Sequence, residues 1–355
     1  MNRKNILFIS NTIRINRPFL DPSVRYRCFN LANELNKRGY SASVISLANF
    51  EKCIKKEINY FDDIDLFYFH RPRLNNILGY FLEKRKLSDS MIIDFDDFIF
   101  STADALVMPN REIRDPMFES IPINLANNAA ACHYFSQFTA TTYPLIEKYK
   151  KLFNVKKSAI IPNNLDAAYI NISNQIRKNK KEKSFKLGYF PGTTSHDADL
   201  QYISQSLEEV FLNSDSNLFI LGPVKIPDNL MKFENRIVHK PNVVSFYELP
   251  HIMSQVETVL APLQENEFNK CKSGIKFFEA AVLGCNVIAT PIPDIDRFET
   301  PYLRKPRNQD EWLEALSTPF NEDHEQKEHV VNKLMEQLNP SHIADIFEEV
   351  FINER

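Results

Sequence analysis

Short apolar runs alternate with amphipathic stretches along the chain, and the most informative pair lies at residues 259–263 and 286–290. Both runs have the length and composition typical of buried strands. Between them, residues 273–283 carry apolar side chains at helical spacing, and we expect Ser273 to cap the helix start and Gly284 to end the helix. Strand, helix and strand in this order predict one unit of a parallel sheet.

The same alternation fills both halves of the chain. In the first half it predicts strands at residues 6–9, 43–46, 66–70, 132–135 and 159–162, and a further strand that starts at residue 91. It also predicts helices at 23–37, 74–84, 123–131 and 140–151. In the second half it predicts strands at 186–190, 218–222 and 236–239, and helices at 200–212, 246–254, 310–317, 324–338 and 341–351. A basic run at 177–186 is expected to be a solvated linker or edge between the halves.

Two similar domains explain the restart near residue 186 better than one sheet of about a dozen strands. We therefore predict an α/β fold in which two doubly wound, Rossmann-like domains face each other across a cleft that holds the active site. Residues 1–165 form the N-terminal domain and residues 166–339 the C-terminal domain. A last helix in residues 340–355 is expected to pack back onto the N-terminal domain.

Composition and charge narrow the function classes. The chain has 355 residues, a hydrophobic fraction of 43% and a net charge of −3, so no positive field recruits nucleic acid. Its five cysteines lack the spacings of zinc sites or disulfide frameworks, which favours a cytoplasmic setting. No stretch approaches the roughly 20 apolar residues of a membrane span, and the first apolar run is too short for a signal peptide. The first strand is not followed by a glycine-rich dinucleotide fingerprint, which argues against an NAD enzyme.

Three lysines crowd the start of the predicted helix 273–283. Lys270, Lys272 and Lys276 lie where the helix dipole already supplies about half a positive charge, and each cation there costs roughly 0.3–1 kcal/mol. Such a segment suits an anion, and a phosphate group fits both the lysines and free backbone N–H groups. Lys272, Lys276 and Glu279 rise along one face, so the lysines can neutralise a diphosphate while Glu279 accepts hydrogen bonds from sugar hydroxyls. The alternative is an amphipathic helix with solvated lysines.

A turn of small polar residues follows the predicted strand 186–190. Gly192 permits a close backbone approach, and Thr193, Thr194 and Ser195 bring hydroxyl and amide groups that suit a phosphate. His196 is expected to donate to the same phosphate or to lie over the sugar. The alternative is a structural turn with an exposed histidine.

Three carboxylates follow a predicted strand of the first half. Asp94, Asp96 and Asp97 lie at the carboxyl end of that strand, which faces the ligand crevice in an open parallel sheet. They can bind a metal, orient hydroxyls or act as an acid/base pair, and the alternative is a polar loop whose aspartates cap a turn. Arg25 and Arg27, at the mouth of the first crossover, can reach an anionic group or pair with those aspartates. Taken alone, such arginines are more often surface residues.

Five segments resemble the GT-B glycosyltransferases, most closely the large retaining family 4 group. They are NKCKSGIKFFE at 269–279, GCNVIAT at 284–290, FPGTTSHDAD at 190–199, DFDD at 94–97 and PSVRYR at 22–27. The segments span nearly the whole chain and keep the order expected for that family.

The resemblance implies transfer of a sugar from a nucleotide-diphosphate donor on the C-terminal domain to a glycan or lipid-linked acceptor on the N-terminal domain. Glu279 matches the glutamate that grips the donor ribose. The region of Ser273, with Asn269 and Gly274, matches the helix start that meets the diphosphate, and Gly192 matches the facing phosphate loop. The nucleotide sugar is a substrate, and no metal or further cofactor is expected.

Two departures from the family pattern concern the donor side. Cys271 stands where family members carry the first of two glutamates, which often contacts the donor sugar. The usual Arg and Lys of the facing loop are replaced by Thr193 and by residues 197–198. Lys272 and Lys276 are expected to take over the phosphate charge.

The resemblance to the retaining group implies a reaction that retains configuration. An enzyme of this type needs no protein nucleophile, because the departing phosphate can accept the acceptor's proton. An inverting enzyme would need a base from the N-terminal domain, with Asp94, Asp96 or Asp97 as candidates. The candidate catalytic residues are Lys276, Glu279, Asp96, Asp97 and His196, and the acceptor-side candidates are Arg25, Arg27 and Asp94.

The biological role expected from this reading is the assembly of bacterial surface polysaccharide, such as lipopolysaccharide O-antigen or capsule. The enzyme would be cytoplasmic and contact the inner face of the membrane peripherally. Two alternatives stay open, namely a catalytically silent transferase-like subunit that binds nucleotide or glycan, and a sugar-nucleotide epimerase or phosphorylase on the same architecture.

Overall fold

The computed structural model describes residues 4–85, 89–103, 119–179, 182–193, 196–321 and 323–353, and two six-stranded sheets form its framework. The strands of the first sheet are β1 (Asn5–Ser10), β2 (Ser41–Ser46), β3 (Leu66–His70), β4 (Met91–Phe95), β5 (Gln137–Ala140) and β6 (Lys157–Ile160). The strands of the second sheet are β7 (Phe185–Tyr189), β8 (Leu218–Leu221), β9 (Ile237–Lys240), β10 (Val256–Ala261), β11 (Asn286–Ala289) and β12 (Leu303–Arg304).

Helices connect most consecutive strands. The α-helices are Pro22–Val24, Asn30–Lys37, Leu47–Lys56, Asn76–Arg85, Ser120–Cys132, Tyr143–Leu152, Ala167–Lys178, Asp197–Tyr202, Ser204–Asn213, Leu249–Met253, Ile275–Ala281, Pro293–Asp296, Gln309–Ser317, His324–Gln337 and Pro340–Phe347. Wider π-turns occupy Arg25–Phe29 and Glu348–Ile352, and 3₁₀ turns occupy Pro18–Leu20, Asp228–Arg236 and Asn269–Cys271. None of the helices in the described ranges combines the length and the apolarity that crossing a bilayer requires.

The strand order confirms the predicted fold class. The first sheet runs β2-β1-β3-β4-β5-β6 and the second β12-β11-β10-β7-β8-β9, and every neighbouring pair is parallel. Read from β9, the second sheet has the order 3-2-1-4-5-6 of dinucleotide-binding domains. The chain therefore builds two doubly wound α/β units, as the alternation of apolar and amphipathic segments predicts.

Apolar side chains cover both faces of each sheet. Every residue of β3 and of β4 is buried, which explains why these strands read as almost continuous apolar runs. In β1, Leu7 and Ile9 belong to one apolar cluster while Ile6 and Phe8 belong to another, as the alternation of strand side chains requires.

The helix Pro340–Phe347 packs against the first sheet. Its Phe347 ring lies 6.3 Å from Phe8 and 6.0 Å from Tyr68 in a cluster built from the first sheet and its helices. Arg38, at the end of an N-terminal helix, pairs with Asp345 at 2.7 Å. Residues after the second sheet thus complete the apolar cover of the first, while the exact domain boundary at residue 165 stays a prediction.

Several predicted elements are displaced. The predicted strand at 132–135 is wrong, because the helix Ser120–Cys132 reaches this point and the strand β5 begins only at Gln137. A short buried apolar run has the same pattern in a helix end and in a strand. The predicted linker 177–186 begins inside the helix Ala167–Lys178, whose start is capped by Asp166.

Glycine was the more reliable signal for helix ends. Gly39 and Gly284 both adopt positive φ, 94° and 73°, directly after helices, as a C-terminal glycine requires. Ser273 is not a helix cap, because the helix Ile275–Ala281 begins after Gly274 without a side-chain cap.

Candidate functional site

The candidate site lies where the strand order of each sheet reverses direction. In open parallel sheets, ligands bind outside the carboxyl ends of the strands at this switch point. In the second sheet it falls between β7 and β10, so the turn that follows β7 meets the segment that follows β10. In the first sheet it falls between β1 and β3.

The segment after β10 that carries Lys270, Lys272 and Lys276, the lysine segment, differs in the exposure of its three lysines. The ammonium of Lys276 lies 3.2 Å from a carboxylate oxygen of Glu279, which is itself only 4% exposed. The ammonium of Lys272 lies 5.4 Å from the centre of the Phe268 ring. Lys270 is exposed and pairs with Glu267 at 3.2 Å, on the outer side of the segment. Lys272 and Lys276 are therefore the half-buried cations of this segment, and Lys270 is a surface residue.

The start of the helix Ile275–Ala281 already carries an internal anion. The backbone N–H of Gly274 donates to a carboxylate oxygen of Asp294 at 2.8 Å, and Asp294 also pairs with Arg297 at 3.0 Å. A Cβ atom on Gly274 would lie 2.8 Å from Ile295, so glycine is required for this close packing. Ser273 Oγ is buried without a hydrogen-bond partner among the described residues. The predicted diphosphate-binding amide is thus partly satisfied by Asp294.

The turn after β7 is open towards solvent. Gly192 and Thr193 are exposed, and a Cβ atom on Gly192 would meet no atom of the described residues within 4 Å. Thr194 and Ser195, also predicted for phosphate binding, lie outside the described residues.

A carboxylate ties this turn to the lysine segment. His196 Nδ1 lies 2.8 Å from one oxygen of Asp199, and the other oxygen of Asp199 accepts a hydrogen bond from the backbone N–H of Gln264 at 2.9 Å. The carbonyl of Gln264 in turn accepts from the side chain of Asn269 at 2.8 Å. The structure therefore brings His196 and Asn269 together through two bridging residues.

Arg27 and Asp94 form a buried ion pair in the N-terminal half. Nε of Arg27 donates to Asp94 Oδ2 at 3.0 Å and Nη2 to Oδ1 at 2.5 Å, and neither side chain has exposed surface. Burial opposes ionisation of Asp94, but the charge of Arg27 and hydrogen bonds from His70 and Arg27 outweigh it, so the pKa of Asp94 lies well below its usual value. The predicted pairing of Arg27 with the aspartates is present, and Asp94 lies below the surface of the cleft.

A chain of side chains leads from Asp94 to the cleft through His70. His70 Nδ1 lies 2.8 Å from Asp94 Oδ2, and His70 Nε2 lies 3.2 Å from the hydroxyl of Ser23. Ser23 also donates a short hydrogen bond to Asp96. His70 is 1% exposed and Ser23 is half-buried, so the serine hydroxyl is the cleft-side end of this chain.

Arg71 holds the other two aspartates. It adopts φ of 50°, a conformation that side chains with a Cβ rarely take, directly after β3. Its guanidinium makes a short contact with Asp96 and lies 2.6 Å from Asp97. Burial opposes ionisation of Asp96, but Arg71 and His70 outweigh it and lower the pKa of Asp96. Arg71 therefore orients both carboxylates and stabilises the ionised form of Asp96.

The two halves meet at the predicted ribose-binding residue. The hydroxyl of Tyr26 donates to Glu279 Oε1 at 2.5 Å, and burial together with the charge of Glu279 raises the pKa of Tyr26 far above its usual value. Arg25 lies beside this contact, 3.5 Å from Asp166 and 2.9 Å from the hydroxyl of Tyr247. Arg25 thus joins the two halves and does not reach the aspartates of the first sheet.

Cys271, which stands at the position of the first family glutamate, is buried. Cys271 is fully buried in an apolar cluster that otherwise consists almost entirely of N-terminal residues, together with its neighbour Phe268. Its carbonyl accepts a hydrogen bond from the hydroxyl of Thr142 at 2.8 Å. A carboxylate at this position would be buried among apolar side chains.

The sequence of the chain matches no protein-family model and no curated protein. Solved structures match over nearly its full length, and they place it in the GT-B fold, with two Rossmann-like domains across a cleft. The chain is similar to HepE from Anabaena in complex with UDP, with 14% identity, a TM-score of 0.60 and coverage of 97% of this chain and 98% of that chain. It is also similar to a glycosyltransferase from Rickettsia africae ESF-5, with 12% identity, a TM-score of 0.62 and coverage of 100% of each chain. AviGT4, a glycosyltransferase involved in avilamycin A biosynthesis, has 12% identity, a TM-score of 0.56 and coverage of 98% of this chain and 96% of that chain.

Residues of this region that sequence reasoning missed include Ser23, Tyr26, His70, Arg71 and Asp294. His70 and Arg71 had a usable signal, since they lie at the carboxyl end of a buried strand as Asp94 does, and the carboxyl ends of neighbouring parallel strands meet. Tyr26 and Asp294 had none, because their contacts depend on how distant segments pack.

Proposed function

We propose that this protein is a glycosyltransferase that moves a sugar from a nucleotide-diphosphate sugar to a glycan or lipid-linked acceptor with retention of configuration. The observation that carries the proposal is the switch point between the neighbouring strands β7 and β10, where Asp199 after β7 accepts a hydrogen bond from Gln264 after β10 and the segment after β10 holds Lys272, Lys276 and Glu279. Solved structures with the same fold include a complex with UDP. The proposed setting is bacterial surface polysaccharide assembly in the cytoplasm, with peripheral membrane contact.

The donor is held by the C-terminal half in this proposal. Lys272 and Lys276 neutralise the diphosphate, with Gly192 and Thr193 on its other side, and Glu279 accepts hydrogen bonds from the ribose hydroxyls. Because Tyr26 occupies one oxygen of Glu279, ribose binding requires that this contact opens.

The reaction then needs charge stabilisation more than a protein nucleophile. The bond between the anomeric carbon and the diphosphate oxygen breaks, and the diphosphate keeps the electron pair while the acceptor hydroxyl oxygen bonds to that carbon. The hydroxyl proton passes to the departing diphosphate. Lys272 and Lys276 stabilise the growing negative charge, and His196 is proposed to contact the same phosphate or the sugar. No metal is needed for these steps.

The acceptor side is proposed to be Ser23, Asp96 and Asp97, which orient the acceptor hydroxyl. Asp94 and Arg27 have no exposed surface, so we assign them to holding His70 behind Ser23. The anomeric configuration of the product, followed by nuclear magnetic resonance, tests retention. An inverted product would overturn it and point to Asp96 or His70 as the base.

A panel of nucleotide sugars, each added during thermal unfolding, tests the donor site. A ligand at 100 times its Kd stabilises the native state by about 2.7 kcal/mol. We expect one member to stabilise the wild type and the control Lys270→Ala, and to lose most of this effect with Lys276→Ala or Glu279→Gln. Stabilisation that survives both substitutions, or no stabilisation by any member, would contradict the donor assignment.

A catalytically silent subunit is a second candidate, favoured by one observation. The carboxylate of Glu279 and the N–H of Gly274 are both already bound by protein groups. Release of nucleoside diphosphate from the stabilising nucleotide sugar distinguishes the two, because a silent subunit binds the donor without turning it over.

A further inference from the structure

The loop after β1 exposes an unusual amount of apolar surface. We define the β1 loop as residues 11–20, and within it Ile13 is 90% exposed, Ile15 38%, Phe19 43% and Leu20 48%. Single exposed apolar residues are common in folded proteins, but a group of this size on one segment marks an interaction site.

The same loop carries positive charge only. Arg14 and Arg17 are exposed between the apolar residues, and the loop contains no acidic residue. Neither guanidinium has an ion-pair partner among the residues that the structure describes. The helix Leu47–Lys56 lies beside the loop, since Asn49 donates to the carbonyl of Ile15 at 3.2 Å, and it adds the exposed Lys52.

The loop is anchored at both ends to the candidate acceptor site. The hydroxyl of Thr12 donates to Asp21 at 2.7 Å, and Asp21 accepts from the backbone N–H of Ser23 at 3.0 Å. Ser23 in turn contacts His70 and Asp96. A surface that binds the apolar residues of the loop therefore lies close to the hydroxyl of Ser23.

Tertiary contacts hold the base of the loop. The Phe19 ring packs edge-on against Phe29 at 6.1 Å, and the carbonyl of Phe19 accepts from Arg25 at 3.0 Å. The exposed apolar side chains thus stand on an ordered support.

We propose that the β1 loop docks onto the surface of an anionic lipid bilayer and that the acceptor bound beside it is lipid-linked. Apolar side chains alternating with arginine suit the boundary between acyl chains and anionic headgroups, where the two types of group separate by depth. The acceptor part of this inference rests on the proposed transferase function, whereas the bilayer part does not. A lipid-linked acceptor would present its polar head to Ser23 and Asp96 while its lipid stays in the bilayer.

Co-sedimentation with vesicles tests the docking. We compare vesicles of phosphatidylcholine with vesicles that contain phosphatidylglycerol as well, using Ile13→Ser/Leu20→Ser, Arg14→Gln/Arg17→Gln and the control Leu212→Ser. Leu212 is 64% exposed but lies on the other half of the molecule. The wild type and the control should bind anionic vesicles equally, and the apolar double variant should bind at least about tenfold more weakly. The arginine variant should lose most of the preference for anionic lipid, about fivefold per arginine.

Absence of binding to either vesicle, or equal loss in the Leu212→Ser control, would overturn the docking. Light scattering that shows a dimer dissolved by the loop variants would overturn it as well and assign the loop to a second copy of the chain. Stabilisation by nucleotide sugars without vesicles is measured on the same variants. If nucleotide sugars still stabilise the protein while vesicle binding is absent, the docking fails and the transferase proposal stands. If the protein binds vesicles but no nucleotide sugar stabilises it, the docking stands and the transferase proposal fails.

Discussion

Replacing Arg27 by methionine tests whether the buried ion pair supports the N-terminal half. Methionine keeps an unbranched apolar stem but removes the two hydrogen bonds to Asp94, at 3.0 and 2.5 Å, and a third to the carbonyl of Ile161. Because neither partner has exposed surface, Asp94 would be left as a buried charge without its counter-charge.

Breaking such a pair from one side costs about 3–5 kcal/mol. For a domain of 150–250 residues each kcal/mol lowers Tm by about 2–4 °C, so we expect a decrease of about 6–20 °C. The lowered pKa of Asp94 in the wild type determines how the free energy of unfolding changes with pH. Its contribution is present above the unfolded pKa of about 4 and is lost as pH falls towards the folded value. In Arg27→Met burial raises the pKa of Asp94, so the deficit is largest at neutral pH and shrinks on acidification.

Urea unfolding of Arg27→Met, Asp94→Asn and the double variant provides the measurement. The double variant carries no unpaired charge, so its loss should be smaller than the sum of the single losses. Circular dichroism reports both halves, whereas the fluorescence of Trp312 reports the second. Lys37→Met, which removes an exposed ion pair, is the control and should stay close to the wild type. A loss below about 1 kcal/mol for Arg27→Met, or single losses that simply add, would refute the reasoning.

Two further predictions concern the meeting of the halves. Tyr26→Phe removes the hydroxyl that donates to Glu279, so the stabilising nucleotide sugar should bind about tenfold more tightly, as measured by calorimetry. Unchanged or weaker binding would show that the Tyr26 hydroxyl and the ribose do not compete for Glu279. Cys271→Glu, which restores the family glutamate, should destabilise the protein by several kcal/mol without raising turnover. Cys271→Ala should cause a smaller loss of stability. A folded Cys271→Glu variant with higher turnover would contradict the buried position.

The fold was predictable because its signals are local. Each buried strand is a short apolar run, and glycine after a helix, as at Gly39 and Gly284, reports a backbone conformation that other residues rarely adopt. The predicted strand at 132–135 failed for the same reason, since a local apolar pattern cannot separate a helix end from a strand.

The candidate site was predictable only in part. The positions of Lys276 and Glu279 follow from helical spacing, and the aspartates follow from a strand end. The contact of Tyr26 with Glu279 joins residues far apart in the chain, and the bond between Gly274 and Asp294 depends on a later turn. No local pattern encodes such pairs, because they are set by the packing of whole elements.

The apolar cluster of the N-terminal half is complete only after the helix Pro340–Phe347 has been synthesised. This helix covers apolar side chains such as Phe8, which leave the ribosome long before it. The helix residues in this cluster are Ile343, Ala344 and Phe347. At about 5–20 residues per second, the interval between β6 and this helix amounts to roughly 10–40 s. We therefore expect the sheet to expose apolar surface during translation, and a fragment that stops after β6 to aggregate when it is expressed alone.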